Sequence, residues 1–141
     1  MQRFVISIRG EKLTLVSIAV CVRNGKDWIN GCMESLVNQT YKTTEIILVD
    51  DGSTDGGREI VKKWASHDNV ITILQEAKGL SSGRMAALEI AKGDWFAITD
   101  IDVRPEANWI ESLLDSSVSR EGENVVAVTG RTVFGLSLIH I

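Results

Sequence analysis

The sequence predicts an α/β layer fold on a mostly parallel sheet with right-handed crossovers. Two observations carry that expectation. Short apolar, β-branched runs alternate with segments of helical periodicity, and most of the runs end abruptly in Asp, Asn, Gly or Ser. A third observation limits it to one domain: the alternation proceeds with no internal repeat and no linker.

Residues 1–13 show no clear period, although Phe4, Ile6 and Ile8 share a face if extended, and they read as a leader or an edge strand. Leu15 to Val22 is a continuous apolar run, as expected of a strand buried on both faces. It ends at the turn Arg23-Asn24-Gly25. Trp28, Ile29, Cys32, Met33, Leu36 and Val37 then recur at helical spacing, predicting a helix over about Asp27 to Asn38 with that stripe inward. Gln39 to Thr43 is its polar exit. Glu45 to Val49 is a second buried strand, followed by a turn from Asp50 to Asp55 and a helix carrying Ile60, Val61, Trp64 and Ala65 on one stripe. Val70 to Leu74 is a third strand, Gly79 to Gly83 a small-residue loop, Arg84 to Ala91 a helix and Trp95 to Thr99 a fourth strand. After the loop Asp100 to Pro105, Asn108 to Val118 is a helix with Trp109, Ile110, Leu113, Leu114 and Val118 inward, and Val125 to Thr129 is a fifth strand.

Composition narrows the function classes. With 141 residues, 44% hydrophobic and 24% charged, the chain is long enough to bury about 68% of its unfolded surface without staples. Cys21 and Cys32 form no CxxC pair or secreted framework, which favours a reducing compartment and a cytoplasmic location. The net charge of −4, with Lys and Arg dispersed, offers no basic stripe for nucleic acid. No window approaches 18 uninterrupted apolar residues, so membrane association is expected only through a longer parent. The final hexapeptide, residues 136–141 (LSLIHI), reads as a sequencing-adaptor scar, the alternative being a short apolar terminal strand. The expected division is therefore 1–13, a domain over 14–135, and the scar.

In open parallel sheets ligands sit beyond the carboxyl ends of the strands. Three predicted ends carry polar groups there: Arg23 and Asn24, Asp50 and Asp51, Asp100 and Asp102. Asp100-Ile101-Asp102 suits a hard divalent cation, Mg or Mn; alternatively it is a turn in which Asp100 bonds the backbone and Asp102 is solvated. Asp50-Asp51-Gly52-Ser53 is what a turn before a helix wants, yet two adjacent carboxylates also suit the N–H and hydroxyl groups of a base or sugar. Arg84, behind Gly79, Ser81, Ser82 and Gly83, suits phosphate oxygens or plain solvent. The loop fits neither GxGxxG nor Walker A, and His67 and His140 belong to no hydrolase triad.

Taken together, VSIAVCVRNG, ESLVNQTY, EIILVDDGSTDG, the Gly79 to Arg84 loop and FAITDIDVRPEANWIESLL resemble the inverting glycosyltransferases of family 2, from about Val16 to Arg131. The resemblance implies the GT-A fold, a Rossmann-like nucleotide-diphospho-sugar transferase architecture, here incomplete at its C-terminus. It implies transfer of a hexosyl group from a nucleotide-sugar donor, a UDP-sugar, with inversion and a divalent cation, to a glycan, lipid or protein acceptor in cell-wall or polysaccharide synthesis. Asp50 and Asp51 match the aspartates that recognise base and ribose, and Asp102 matches the metal-liganding end of the DxD. Asp100 matches its ribose-side or metal-side partner, Arg23 and Asn24 the turn lining the base, and Arg84 the loop arginine near the diphosphate. Met85 departs from the Asn common in the family. The catalytic base is expected beyond the last residue, so the chain alone is expected to be incompetent for transfer. Two rivals stand beside this reading: a haloacid-dehalogenase-like phosphatase with Asp100 as nucleophile, and a non-catalytic nucleotide-sugar-binding fragment.

Overall fold

The computed structural model describes residues 14–118. The expected leader, the fifth strand at Val125 to Thr129 and residues 136–141 lie outside them. The described chain runs β1 (Val16–Val22), α1 (Lys26–Val37), β2 (Thr44–Asp51), α2 (Gly57–Trp64), β3 (Val70–Gln75), α3 (Leu80–Ile90), β4 (Trp95–Asp100) and α4 (Trp109–Val118). The four strands are all parallel, in the order β3-β2-β1-β4. The continuous apolar runs belong to the two central strands. Every residue of β1 and β2 is buried, because each has a strand on both sides and helices on both faces.

Strand alternation divides the core into two layers. Ile18, Val20, Val22, Ile46 and Leu48 pack with Ile29, Met33, Leu36, Val61, Trp64, Ile110 and Leu114, under α1, α2 and α4. Ala19, Cys21, Ile47 and Val49 face Ala87 of α3 on the other side. That second layer is thin because α3 lies close: a Cβ on Gly83 would stand 3.0 Å from Cys21 Sγ. The crossovers through α1 and α2 step in one direction along the sheet, and α3 carries the chain back past β1 to place β4 on its far side. The connectivity thus reverses between β1 and β4, and a crevice at the carboxyl ends of those strands is where such sheets take ligands.

Three expectations are corrected. β2 continues through Asp50 and Asp51, which are the last residues of a strand and not the start of a turn. The small-residue stretch after Gly79 is the first turn of α3, so Arg84 is the fifth residue of that helix and does not begin it. Ser81, Ser82 and Gly83 look like helix breakers, yet the close approach to Cys21 demands a glycine inside the helix. Trp28, expected inward, is 51% exposed at the start of α1.

The polar exit from α1 does more than lead away from the helix. Gln39, 1% exposed, donates through Nε2 to the carbonyls of Ser35 (3.1 Å) and Glu106 (2.7 Å) and accepts at Oε1 the N–H of Ile110 (3.1 Å). One side chain thereby satisfies an otherwise orphaned N–H in the first turn of α4 and ties the segment after β4 to the end of α1. Thr40 adds a backbone bond to Ala107 at 2.7 Å.

Candidate functional site at the carboxyl edge of the sheet

The register brings distant residues level. Val22 lies opposite Asp50, Asp50 opposite Leu74, Asp51 opposite Gln75 and Cys21 opposite Asp100. The ends of all four strands therefore form one edge. The turn after β1 is fastened to the turn after β2: Asn24, in the left-handed region at φ 53°, accepts the Thr54 N–H at Oδ1 (2.7 Å) and donates its own N–H to Ser53 Oγ (3.0 Å). Asp55 completes the seam by accepting the N–H groups of Lys26 (2.9 Å) and Gly57 (2.8 Å), one at the start of each following helix.

Because side chains alternate along a strand, Asp50 and Asp51 point to opposite faces of the sheet. Asp50, 0% exposed, meets Arg58 Nε from α2 at 2.7 Å and accepts the Ser53 N–H at 3.3 Å, and Arg58 also donates to the Gln75 carbonyl. A ligand reaches Asp50 directly only by displacing those partners. Asp51, 3% exposed, points toward α3 and accepts three donors: Gln75 Nε2 at 2.7 Å and the N–H groups of Lys78 and Gly79, each at 2.8 Å. The Lys78 N–H, then the Gln75 amide, outweigh burial and hold the Asp51 carboxyl below the usual carboxylate range, with Arg23 adding attraction. The Lys26 and Gly57 N–H groups do the same to Asp55.

Between the lowered folded values and the ordinary unfolded ones the native state binds fewer protons, so stability is fully present above the unfolded value and is lost as pH falls toward the folded one. Urea midpoints measured from pH 7 downward are expected to fall below roughly pH 5, and Asp51→Asn is expected to flatten that fall. An unchanged slope in that variant would remove Asp51 from the account.

Asp100 ends β4 exposed and pairs with Arg84 Nη2 from α3 at 3.0 Å. The chain then turns, the Val103 N–H reaching the Asp100 carbonyl at 3.1 Å, with Asp102 exposed inside the turn. Cys21 and Cys32 lie behind this edge, their thiols pushed up to about 11 mainly by burial, so both are protonated at neutral pH and neither is a nucleophile.

Among the described residues no cluster of three His, Cys, Asp or Glu side chains forms an all-protein metal cage. Asp100 and Asp102 nevertheless fit Mg or Mn, which take one or two carboxylates and complete their shell with phosphate oxygens and water. The Asp100 side chain is exposed, so a cation can reach its carboxylate if Arg84 gives way. Sequence reasoning missed Arg58, Gln75 and the Lys78 backbone N–H. Only Arg58 carried a signal: a cation in the first turn of a helix opposes the helix dipole and calls for a local acid.

The family model described as glycosyl transferase family 2 matches residues 17–136. The chain is 35% identical over 114 residues to glycosyltransferase GlyG of Streptococcus pneumoniae serotype 4, covering 79% of this chain and 38% of that protein. Among solved structures it resembles S. aureus TarS 1–349 in complex with UDP-GlcNAc, with TM-score 0.62, 27% identity, and coverage of 73% of this chain and 30% of that one. It also resembles the mannosyltransferase PcManGT of Pyrobaculum calidifontis in complex with GDP-Man and Mn2+, with TM-score 0.57, 29% identity, and coverage of 62% and 27%. The chain thus spans less than two fifths of the length of each of these three proteins.

Proposed function

Since the chain belongs to glycosyl transferase family 2, we propose that it binds a nucleotide-sugar donor, a UDP-sugar, together with Mg or Mn, and serves the donor side of an inverting hexosyl transfer. The observation that carries this reading is the gathering of Asp51, Arg84, Asp100 and Asp102 on one sheet edge beside the β1–β4 reversal. The UDP-GlcNAc of TarS and the Mn2+ of PcManGT support the donor and the cation.

In this reading Asp102 and Asp100 hold the cation, which supplies Lewis-acid stabilisation of charge on the departing diphosphate. Arg84, released from Asp100, meets phosphate oxygens with a planar pair of donors. Asp51, Asp50, Arg23 and Asn24 form the base and ribose side, Asp51 by holding the Lys78–Gly79 backbone and Asp50 by holding Arg58. No acid among the described residues is assigned as the base that takes the acceptor proton. A cytoplasmic setting belongs to the same proposal: Cys21 and Cys32 sit in different core layers on opposite faces of the sheet and carry free thiols. Among the described residues no helix is long and apolar enough to cross a membrane. The phosphatase expectation is corrected by the family match across 17–136.

A phosphate oxygen and a carboxylate about 4 Å apart repel by roughly 4 kcal/mol at an effective dielectric of 20, and solvent exposure removes more than half of that. Calorimetry of the 141-residue chain is therefore expected to show UDP binding at least about tenfold tighter with Mn2+ than with chelator. Metal-independent binding, or no binding by a folded sample, would overturn the proposal.

A further inference from the structure

The segment after β4 carries a side chain that the donor site itself does not use. Arg104 Nη1 donates to the carbonyls of Ile101 (3.2 Å) and Val103 (3.1 Å), the residues immediately before and after Asp102. The same guanidinium lies over α1, its Cζ 5.8 Å from the centroid of the Trp28 ring. It rests on Gly31, where a Cβ would stand 2.4 Å from Nε and 2.6 Å from Nη2. Glycine within a helix disfavours the helix relative to alanine, so its presence under an arginine is explained by this close approach.

We propose that Arg104 is a positioning residue for Asp102, and that Gly31 and Trp28 form the seat that holds it in place. The planar guanidinium matches both the aromatic face and a pair of carbonyls, which a lysine ammonium does not. Holding the carbonyls of the residues on either side of Asp102 restricts the freedom an exposed turn otherwise has, and aims the carboxylate before a cation arrives. The inference rests on Asp102 being a cation ligand, as the proposed function has it.

Gly31→Ala tests it from the opposite side to Arg104→Ala. The added methyl meets only the movable end of a side chain, so it unseats the guanidinium while improving the helix. The experiment measures Mn2+ affinity in the presence of UDP, uridine binding without metal, and the melting temperature, for the full chain, Arg104→Ala, Gly31→Ala, the double variant and Asp102→Asn. Each single variant is expected to lose roughly tenfold in Mn2+ affinity with uridine binding unchanged, and Gly31→Ala is expected to melt no lower than the parent. The double variant is expected to be no weaker than either single one, since both remove the same contact. Unchanged Mn2+ affinity in both single variants, with Asp102→Asn defective, overturns the inference and leaves the donor-site reading standing. Unchanged affinity in Asp102→Asn overturns both. Equal losses of uridine and Mn2+ binding would mark a structural role and likewise overturn it. Should Arg104→Ala not fold, Gly31→Ala decides alone.

Discussion

Asp102→Asn is expected to weaken Mn2+ affinity in the presence of UDP on the order of 100-fold, since residues that merely orient a metal ligand are worth 10- to 100-fold and a direct ligand stands at the upper end. The amide keeps the size of the side chain and removes its charge, so the turn closed by the Val103 N–H persists. Metal-free uridine binding should be nearly unaffected. Asp51→Asn is expected to reverse the pattern. Its two oxygens accept three donors, and an amide offers one oxygen and two hydrogens in their place, so the Lys78–Gly79 backbone must rearrange beside the base. Paired titrations with uridine and with UDP plus Mn2+ separate the two roles. Equal changes in both ligands for both variants would sink the division of labour.

Gly52→Ala is expected to destabilise the chain by roughly 3–4 kcal/mol in urea unfolding, combining left-handed strain with overpacking. Gly52 sits at φ 74°, and a Cβ there would lie 2.7 Å from the backbone nitrogen of Ala77 and 3.0 Å from its Cα. The obstacle is backbone, not a side chain that can swing away. Gly56 supplies the control. Its φ is 92°, but no atom lies within 4 Å of the Cβ position, so Gly56→Ala should cost only about 1–2 kcal/mol. The difference between the two reports how tightly the turn after β2 is pressed onto the segment after β3. Equal costs would show that conformation alone, and not that contact, makes glycine necessary at 52.

The central strands were legible because a strand buried on both faces cannot alternate, and Leu15 to Val22 and Glu45 to Val49 leave no other solution for apolar runs so short. The site was legible as a place, since the polar residues that close those runs fall at one sheet edge once the strands are parallel. What the sequence could not show was which face each carboxylate takes. Whether the strand stops at Val49 or at Asp51 decides whether Asp50 and Asp51 act as a pair or serve opposite layers, and the residues permit both. The Arg104 and Gln39 contacts were equally hidden. Gln39 meets a carbonyl 67 residues away and an N–H 71 residues away, and a single glutamine in a polar exit carries no periodicity to announce it.

The strand order also sets a timetable for folding. Pairing β1 with β2 closes a span of 28 residues, as Ser17 and Glu45 do, whereas pairing β1 with β4 closes one of 79, as Leu15 and Asp94 do. Loop closure alone makes the second roughly 0.9 kcal/mol harder, and long-range parallel pairing is intrinsically slow. The β1–β2–β3 unit can assemble through its own crossovers, giving Asp50 and Arg58 their final places while the chain that bears Asp100 and Asp102 is still loose. β4 then docks against a preformed strand, and only at that step do Arg84, on the crossover helix α3, and Asp100, at the end of β4, come together. On the proposed reading, the base side of the site is inherited from the β1–β2–β3 unit, and the metal side takes shape only after that unit has formed.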